Sequence, residues 1–184
     1  MKRAGWFDGW FFAGEIAGAA GTGGGVDGDG GGCIWAGGEA VCAELVGRLR
    51  SGDKAVVERA ARTLKKISEA DGAALFPWYK ALIDDAFRAT DVRVQWNLTL
   101  VLGRLPLRGR DKAVVVDLMF ERLRDKSGLN RTCALQALMD LSVNDVALRR
   151  RVRPILDEFV ENGTPAMKAR AKKLSALLRD DARG

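Results

Sequence analysis

The chain of 184 residues has no histidine, and it has only three cysteines, four prolines and one tyrosine. The absence of histidine excludes catalytic triads with a histidine base, zinc sites with histidine ligands and histidine general bases. Cys33, Cys42 and Cys133 are odd in number and form no C-x-x-C pair. They favour reduced thiols in a cytoplasmic protein over a disulfide framework. No stretch of eighteen apolar residues could span a membrane, and no motif indicates a metal or cofactor.

The composition is that of an ordinary globular domain with a moderate positive charge. Hydrophobic residues make up 47% of the chain and charged residues 29%, and the formal net charge is +6. A chain of this length can bury a core without a disulfide or a metal ion. The charge is compatible with an acidic partner, but it does not by itself indicate nucleic-acid binding.

Residues 1–38 differ from the rest because glycine dominates them, as in the stretch "GTGGGVDGDGGG". Glycine carries the highest backbone entropy and offers no side chain to bury. The stretch lacks the G-K-[ST] end of a phosphate loop and the closing glutamate of a calcium loop. Asp8 and Glu15 interrupt the apolar region that a signal peptide would need. We therefore expect a flexible, disordered leader over 1–38 and a helical domain over 39–184.

Four segments of the domain share one helical pattern: "VVERAARTLKKI", "VQWNLTLVLGRL", "NRTCALQALMDL" and "AMKARAKKLSAL". They begin at residues 56, 94, 130 and 166, so they are spaced by 38, 36 and 36 residues, as in repeats of helix pairs. Positions 1, 5, 8, 9 and 12 of each segment lie on one side of a helix and should be buried. Polar Arg170 and Lys173 in the last segment are typical of a terminal repeat with no outer neighbour.

Each segment follows another helical stretch, which predicts about four antiparallel helix pairs in an all-α solenoid. Within the first helices of these pairs, Asp111 and Asn144 are expected as N-caps, Pro77 at a helix start, and Pro154 at a kink or break.

The second-helix pattern of "VQWNLTLVLGRL" and "NRTCALQALMDL", with the aspartate of "TD" before it, resembles the HEAT-repeat superfamily of armadillo-type α-solenoids. The resemblance covers about residues 39–181. It implies a scaffold or binding module more than an enzyme, with the second helices lining an inner face.

Positions 3, 7 and 10 of the pattern should point away from the buried side, toward that inner face. An exposed tryptophan beside apolar and neutral polar residues, with charge around it, is typical of a protein-binding hot spot. We expect a protein or peptide partner there, bound without catalysis. Alternatively, the tryptophan packs on the adjacent helix and completes the core. The predicted partner-binding residues are Trp96, Leu100, Gln136, Met139, Arg62 and Thr132. Gly103, on the same face, should leave an open notch or only weaken the helix.

Nucleic-acid binding is the main alternative, because residues 144–184 contain ten Lys or Arg against six Asp or Glu. The residues that could contact phosphate are Arg150, Arg151, Lys168 and Lys172. Acidic neighbours in the same helices make a solvated face with local ion pairs an equally simple interpretation.

One branch of the superfamily, the HEAT-like DNA glycosylases, uses a tryptophan, an aspartate and an arginine on its concave face. Trp96 and Arg131 could match two of these, but Asp140 should lie on a flank, and Leu100 follows Trp96 by one turn. Without an inward carboxylate, nothing would stabilise a cationic sugar intermediate, so no enzyme is predicted.

Overall fold

The computed structural model describes residues 38–181, and within them the chain is all-helical. This confirms the all-α prediction for that range. The predicted flexible leader, residues 1–38, lies outside the described residues except for Gly38, which begins the first helix. A short 3₁₀ helix, Ala73–Trp78, precedes the third α-helix. The α-helices are α1 (Gly38–Arg48), α2 (Lys54–Ala70), α3 (Tyr79–Arg88), α4 (Val92–Arg104), α5 (Gly109–Arg122), α6 (Gly128–Leu141), α7 (Val146–Asn162) and α8 (Pro165–Asp181).

Short polar side chains cap the first turns of α2, α4, α6 and α7. Asp53 Oδ1 accepts from Ala55 N at 2.8 Å, and Asp91 Oδ1, the aspartate of "TD", accepts from Arg93 N at 2.7 Å. Ser127 and Asp145 cap α6 and α7 in the same way. Each satisfies a backbone N–H that the first turn of a helix leaves without a partner.

Two predicted caps were wrong. Asp111 lies inside the first turn of α5, because that helix already begins at Gly109, and Asn144 precedes the actual cap of α7 by one residue. The predicted helix start at Pro77 and the alternative of a break at Pro154 were also wrong. Pro77 lies inside the 3₁₀ helix, and α7 continues through Pro154 as one helix. Pro154 is exposed, so water can reach the backbone carbonyl that it leaves without a hydrogen-bond donor.

Even-numbered helices pack on the helix before them in the chain and on one another. Helix α2 contacts α1 and α4, α4 contacts α3 and α6, and α6 contacts α5 and α8. Helix α8 also packs on α7. The interior therefore runs along α2, α4, α6 and α8, each of which touches the next in chain order.

The predicted core positions are buried most completely in the two middle segments. All five positions of the α4 segment and all five of the α6 segment are buried, including Leu98, Leu102 and Leu138 at 1% exposure or less. In the α8 segment Lys173 is exposed and Arg170 half-buried. In the α2 segment Thr63 is exposed, although that position was expected in the core. The pattern is strictest where a helix has a neighbour on both sides.

Gly103 brings α4 and α6 into close contact. A Cβ built on Gly103 would lie 2.7 Å from the Cα of Ala137 and 2.8 Å from its Cβ. The expected open notch is therefore wrong, because α6 fills that space. Gly103 is needed here for close approach of two helices, which a larger side chain would prevent.

Arg122, at the end of α5, is a buried cation that the sequence pattern did not reveal. Its Nη2 donates to the carbonyl of Ala86 at 2.6 Å, and its Nη1 donates to the carbonyl of Gln95 at 2.8 Å and to Oγ1 of Thr99. Burial lowers the pKa of Arg122 to about 10. One guanidinium thus joins α5 to both α3 and α4.

Candidate partner-binding surface on helices α2 and α4

Three of the six predicted partner-binding residues are buried. Leu100 is 8% exposed, Gln136 3% and Met139 2%, so their expected exposure was wrong. Helix α4 packs between α2 and α6, and α6 packs between α4 and α8. These neighbours cover side chains of α4 and α6 that point away from α3 and α5. Thr132 is half-buried, and its Oγ1 donates to the carbonyl of Gly128 in its own helix.

Trp96 and Arg62 remain accessible on neighbouring helices. Trp96 is half-buried, and Nζ of Lys65 from α2 lies 5.6 Å from the centroid of its ring. An ammonium at this distance from an aromatic ring contributes a cation–π attraction. Lys65 thus holds the indole against α2 while part of the ring stays open to solvent.

Two carboxylates, each shared by two cations, link α2 to α4 around this tryptophan. Glu58 accepts from Nη2 of Arg62 at 2.8 Å through Oε1, and its Oε2 lies 3.0 Å from Nη1 of Arg93. Further along, Oε1 of Glu69 lies 3.0 Å from Nζ of Lys65 and 3.6 Å from Nη2 of Arg104. We call these six charged residues and Trp96 the α2–α4 surface.

The two ends of the α2–α4 surface differ in exposure. Arg62 and Arg93 keep 56% and 67% of their side chains exposed, whereas Arg104 keeps 8%. Nη1 of Arg104 also donates to Oγ of Ser68 at 3.1 Å. The Arg104 end is therefore an internal link between helices, and the Arg62 end is open to a partner.

Asp140 continues the polar line from Arg104 onto α6. Its Oδ1 accepts from Nε2 of Gln136 at 2.7 Å, and its Oδ2 is buried. Burial raises the pKa of Asp140 to about 6, although Arg104 and Arg170 oppose the rise. Asp140 was expected on a flank of its helix; it is half-buried, and Arg104 of α4 and Arg170 of α8 lie near its carboxylate.

Cys133 lies one helical turn from Gln136 on the same side of α6 and is buried. Burial raises the pKa of its thiol to about 12, despite the positive charges of Arg170, Lys65, Arg104 and Arg122. A thiol held in its protonated form is a poor nucleophile, so Cys133 does not have the character of a reactive cysteine.

The four residues predicted to contact phosphate lie on two helices, α7 and α8. Arg150 and Arg151 lie on α7, and the guanidinium of Arg151 stacks over the ring of Phe120 at 4.4 Å. Lys168 and Lys172 lie on α8, one turn apart. Because α7 and α8 pack against each other, the two pairs lie on neighbouring helices, and phosphate binding by them stays a prediction.

Two residues considered for a glycosylase site make their contacts with different helices. Arg131 stacks over Phe159 of α7 at 5.1 Å, and its Nε donates to the carbonyl of Leu123 at 3.0 Å. Trp96, by contrast, contacts Lys65 of α2. The tryptophan and the arginine therefore belong to contacts with different helices.

An open cavity of about 450 Å³ lies between α5, α6 and α7, and the sequence pattern did not predict it. Phe120, Ile155 and Phe159 give it apolar walls, while Arg124 and Glu158 carry opposite charges. These charges favour neither an anionic nor a cationic ligand. The cavity therefore indicates no ligand class.

Among the residues described, 38–181, no three side chains of metal-binding type come together, and no helix has the length and apolarity to cross a membrane. No family model matches the chain. Comparison with curated proteins finds no similar sequence, and comparison with solved structures finds no similar fold.

Proposed function

We propose that the four helix pairs form a short α-solenoid of the HEAT type, in which α2, α4, α6 and α8 line one face. Polar contacts between different helices support this arrangement because they recur at nearly one repeat length. Arg104 and Ser68 are 36 residues apart, as are Arg122 and Ala86, while Asn130 and Gln95 are 35 apart. Such a spacing is expected when each repeat contacts the next in the same way.

We infer that this solenoid is a non-catalytic module that binds another protein or a peptide through the α2–α4 surface. The observation that carries the proposal is the state of Trp96, which is half-buried, lies beside the ammonium of Lys65 and shares α4 with the exposed Arg93. Tryptophan and arginine are the residue types that dominate binding energy at protein interfaces. A fixed indole also loses little conformational entropy when a partner covers it.

A role without catalysis is supported by the chemistry of the groups near this surface. Asp140 is the acid whose raised pKa would suit a general acid or base at neutral pH, but its carboxylate is buried against Gln136. The buried thiol of Cys133 is held protonated.

The test compares Trp96→Ala with Phe87→Ala, a matched change of an aromatic residue that is 51% exposed on α3. Proteins from the native cell that bind the wild-type chain are identified, and their affinities are then measured by calorimetry. Trp96→Ala should weaken binding by about 2 kcal/mol or more, as truncation of an interface anchor does. Phe87→Ala should leave the affinity unchanged.

Thermal unfolding separates a binding role of Trp96 from a structural one. Because the indole is only partly buried, its removal should lower the free energy of unfolding by about 1 kcal/mol or less. A loss of about 3 kcal/mol or more, typical of aromatic side chains deleted from a core, would make Trp96 structural. Equal affinity of wild type and Trp96→Ala for every captured partner would refute the proposed surface.

A further inference from the structure

The α2–α4 surface has an excess of positive charge that its own carboxylates do not balance. Four cations, Arg62, Lys65, Arg93 and Arg104, share two anions, Glu58 and Glu69. Arg104 also has the carboxylate of Asp140 near it, so Lys65 and Arg104 are matched by Glu69 and Asp140. At the Arg62 end, Arg62 and Arg93 share the single carboxylate of Glu58, which leaves a net charge of +1 there.

The excess is accessible at the Arg62 end. A guanidinium has five N–H donors, and Glu58 interacts with Arg62 through one oxygen and with Arg93 through the other. Donors remain on both arginines, and both side chains are more than half exposed. A second carboxylate could therefore bind either guanidinium in the two-pronged geometry that arginine favours.

The pattern suits a peptide carboxylate better than a nucleic-acid backbone. A nucleic acid presents a continuous row of phosphates and needs a continuous row of cations. Here Glu58 and Glu69 lie among the cations and would repel such a row of phosphates. A peptide carboxylate beside an apolar side chain needs only Arg62, Arg93 and Trp96.

We propose that the partner of the α2–α4 surface is an acidic peptide segment that places an apolar side chain on Trp96 and carboxylates on Arg62 and Arg93. This inference rests on the proposed function and specifies the chemistry of its partner. Oppositely charged groups across an interface accelerate association and exclude partners of the wrong sign.

The experiment uses the full chain and three fluorescent probes: a 15-residue peptide of alternating leucine and glutamate with one central tryptophan, the same peptide with lysine in place of glutamate, and a 15-base single-stranded DNA. Fluorescence anisotropy gives each Kd at about 50 mM and about 150 mM salt. The acidic peptide should bind at least tenfold more tightly than the lysine peptide. Its affinity should fall at the higher salt concentration.

Charge reversal locates the binding. The double variant Arg62→Glu with Arg93→Glu should weaken the acidic peptide at least tenfold. The matched control, Arg150→Glu with Arg151→Glu, makes the same change in net charge on α7 and should have less than a twofold effect. Circular dichroism at 222 nm checks that both variants keep their helix content.

Each other outcome has a distinct meaning. If the α7 variant loses affinity for the acidic peptide as much as the Arg62 and Arg93 variant does, the inference is overturned, because net charge alone would then explain binding. Tighter binding of the DNA, lost on reversal of Arg62 and Arg93, would replace the acidic peptide with a nucleic acid. If both peptides bind equally and Trp96→Ala weakens both, the acidic preference fails while the binding surface stands. If neither Trp96→Ala nor charge reversal changes any Kd, both proposals fail.

Discussion

Gly103 shows how much one hydrogen atom in place of a methyl group can matter where two helices nearly touch. In an isolated helix, alanine is more stable than glycine by about 1 kcal/mol. In this chain the added Cβ of Gly103→Ala would meet the backbone of Ala137 at 2.7 Å. Since a backbone atom cannot rotate away, we expect a net loss of about 1–3 kcal/mol in the free energy of unfolding, measured with urea.

Gly47 provides the matched control for this change. It lies inside α1, and a Cβ added there would have no heavy atom within 4 Å, apart from those of its chain neighbours and its own helix backbone. Gly47→Ala should therefore raise stability by about 0.4–1 kcal/mol, because alanine restricts the unfolded chain. A stabilising effect of both changes would contradict the close contact of α4 and α6.

At the scale of the elements, Arg122 joins three helices through backbone carbonyls. Ala86 lies in the last turn of α3, where carbonyls lack partners within the helix, and Arg122 supplies one of them with a donor. Arg122→Met keeps much of the side-chain length but leaves the carbonyl of Ala86 without this hydrogen bond. We expect a loss of about 2–4 kcal/mol in the free energy of unfolding, since buried acceptors without partners are costly.

Arg124 is the control for this element, because it lies just beyond the end of α5 and is exposed. Arg124→Met should change stability by about 0.5 kcal/mol or less. Comparable losses in the two variants would show that Arg122 contributes through its charge alone and not through the carbonyls of α3 and α4.

At the scale of the whole molecule, Asp140 gives stability a dependence on pH that is opposite in sign to that of most acids. Its pKa rises from 3.8 to about 6 on folding because burial disfavours the charged form. The folded state therefore binds the proton more tightly, and the contribution is complete below about pH 4 and is lost as pH rises through about 6. It amounts to about 3 kcal/mol, since one pKa unit corresponds to about 1.4 kcal/mol.

The variant Asp140→Asn isolates this contribution. An amide mimics the protonated acid, so the stability of the variant relative to wild type should increase by up to about 3 kcal/mol between pH 4 and pH 8. Asp125 and Asp145 have pKa values lowered by hydrogen bonds, chiefly from the backbone N–H of Ser127 and from Lys112, and both carboxylates remain in the variant. Their opposite dependence on pH should therefore cancel in the difference. A difference that stays constant, or falls as pH rises, would show that Arg104 and Arg170 compensate the buried charge in full.

The sequence predicts the helices and the buried positions of α4 and α6, because both depend on a local period of 3.6 residues. Leu98, Leu102 and Leu138 are buried as this period requires. It does not predict the exposure of Leu100 or Gln136. That exposure depends on how closely the neighbouring helices of the series α2, α4, α6 and α8 approach one another. That distance is set by a few small residues, such as Gly103, whose effect appears only when the helices are packed together.

The candidate site could be predicted only in part for the same reason. Trp96 stands out in the sequence because a large aromatic residue on the polar side of a helix is uncommon. The ion pair of Glu58 with Arg93 joins residues 35 positions apart, and nothing in either local sequence distinguishes it from many other pairings. Arg122 leaves no signal at all, because backbone carbonyls, which every residue has, supply two of its acceptors.

The protonated, buried thiol of Cys133 can report how often α6 opens locally. A thiol-directed dye reacts with the thiolate, so it can modify Cys133 only after α6 has moved away from its neighbours. In a chain whose Cys33 and Cys42 are replaced by serine, the labelling rate would therefore report openings of α6 while the rest of the protein stays folded. A partner bound across α2 and α4 would suppress those openings. The rate of Cys133 labelling should therefore fall when the partner binds, although Cys133 lies on α6.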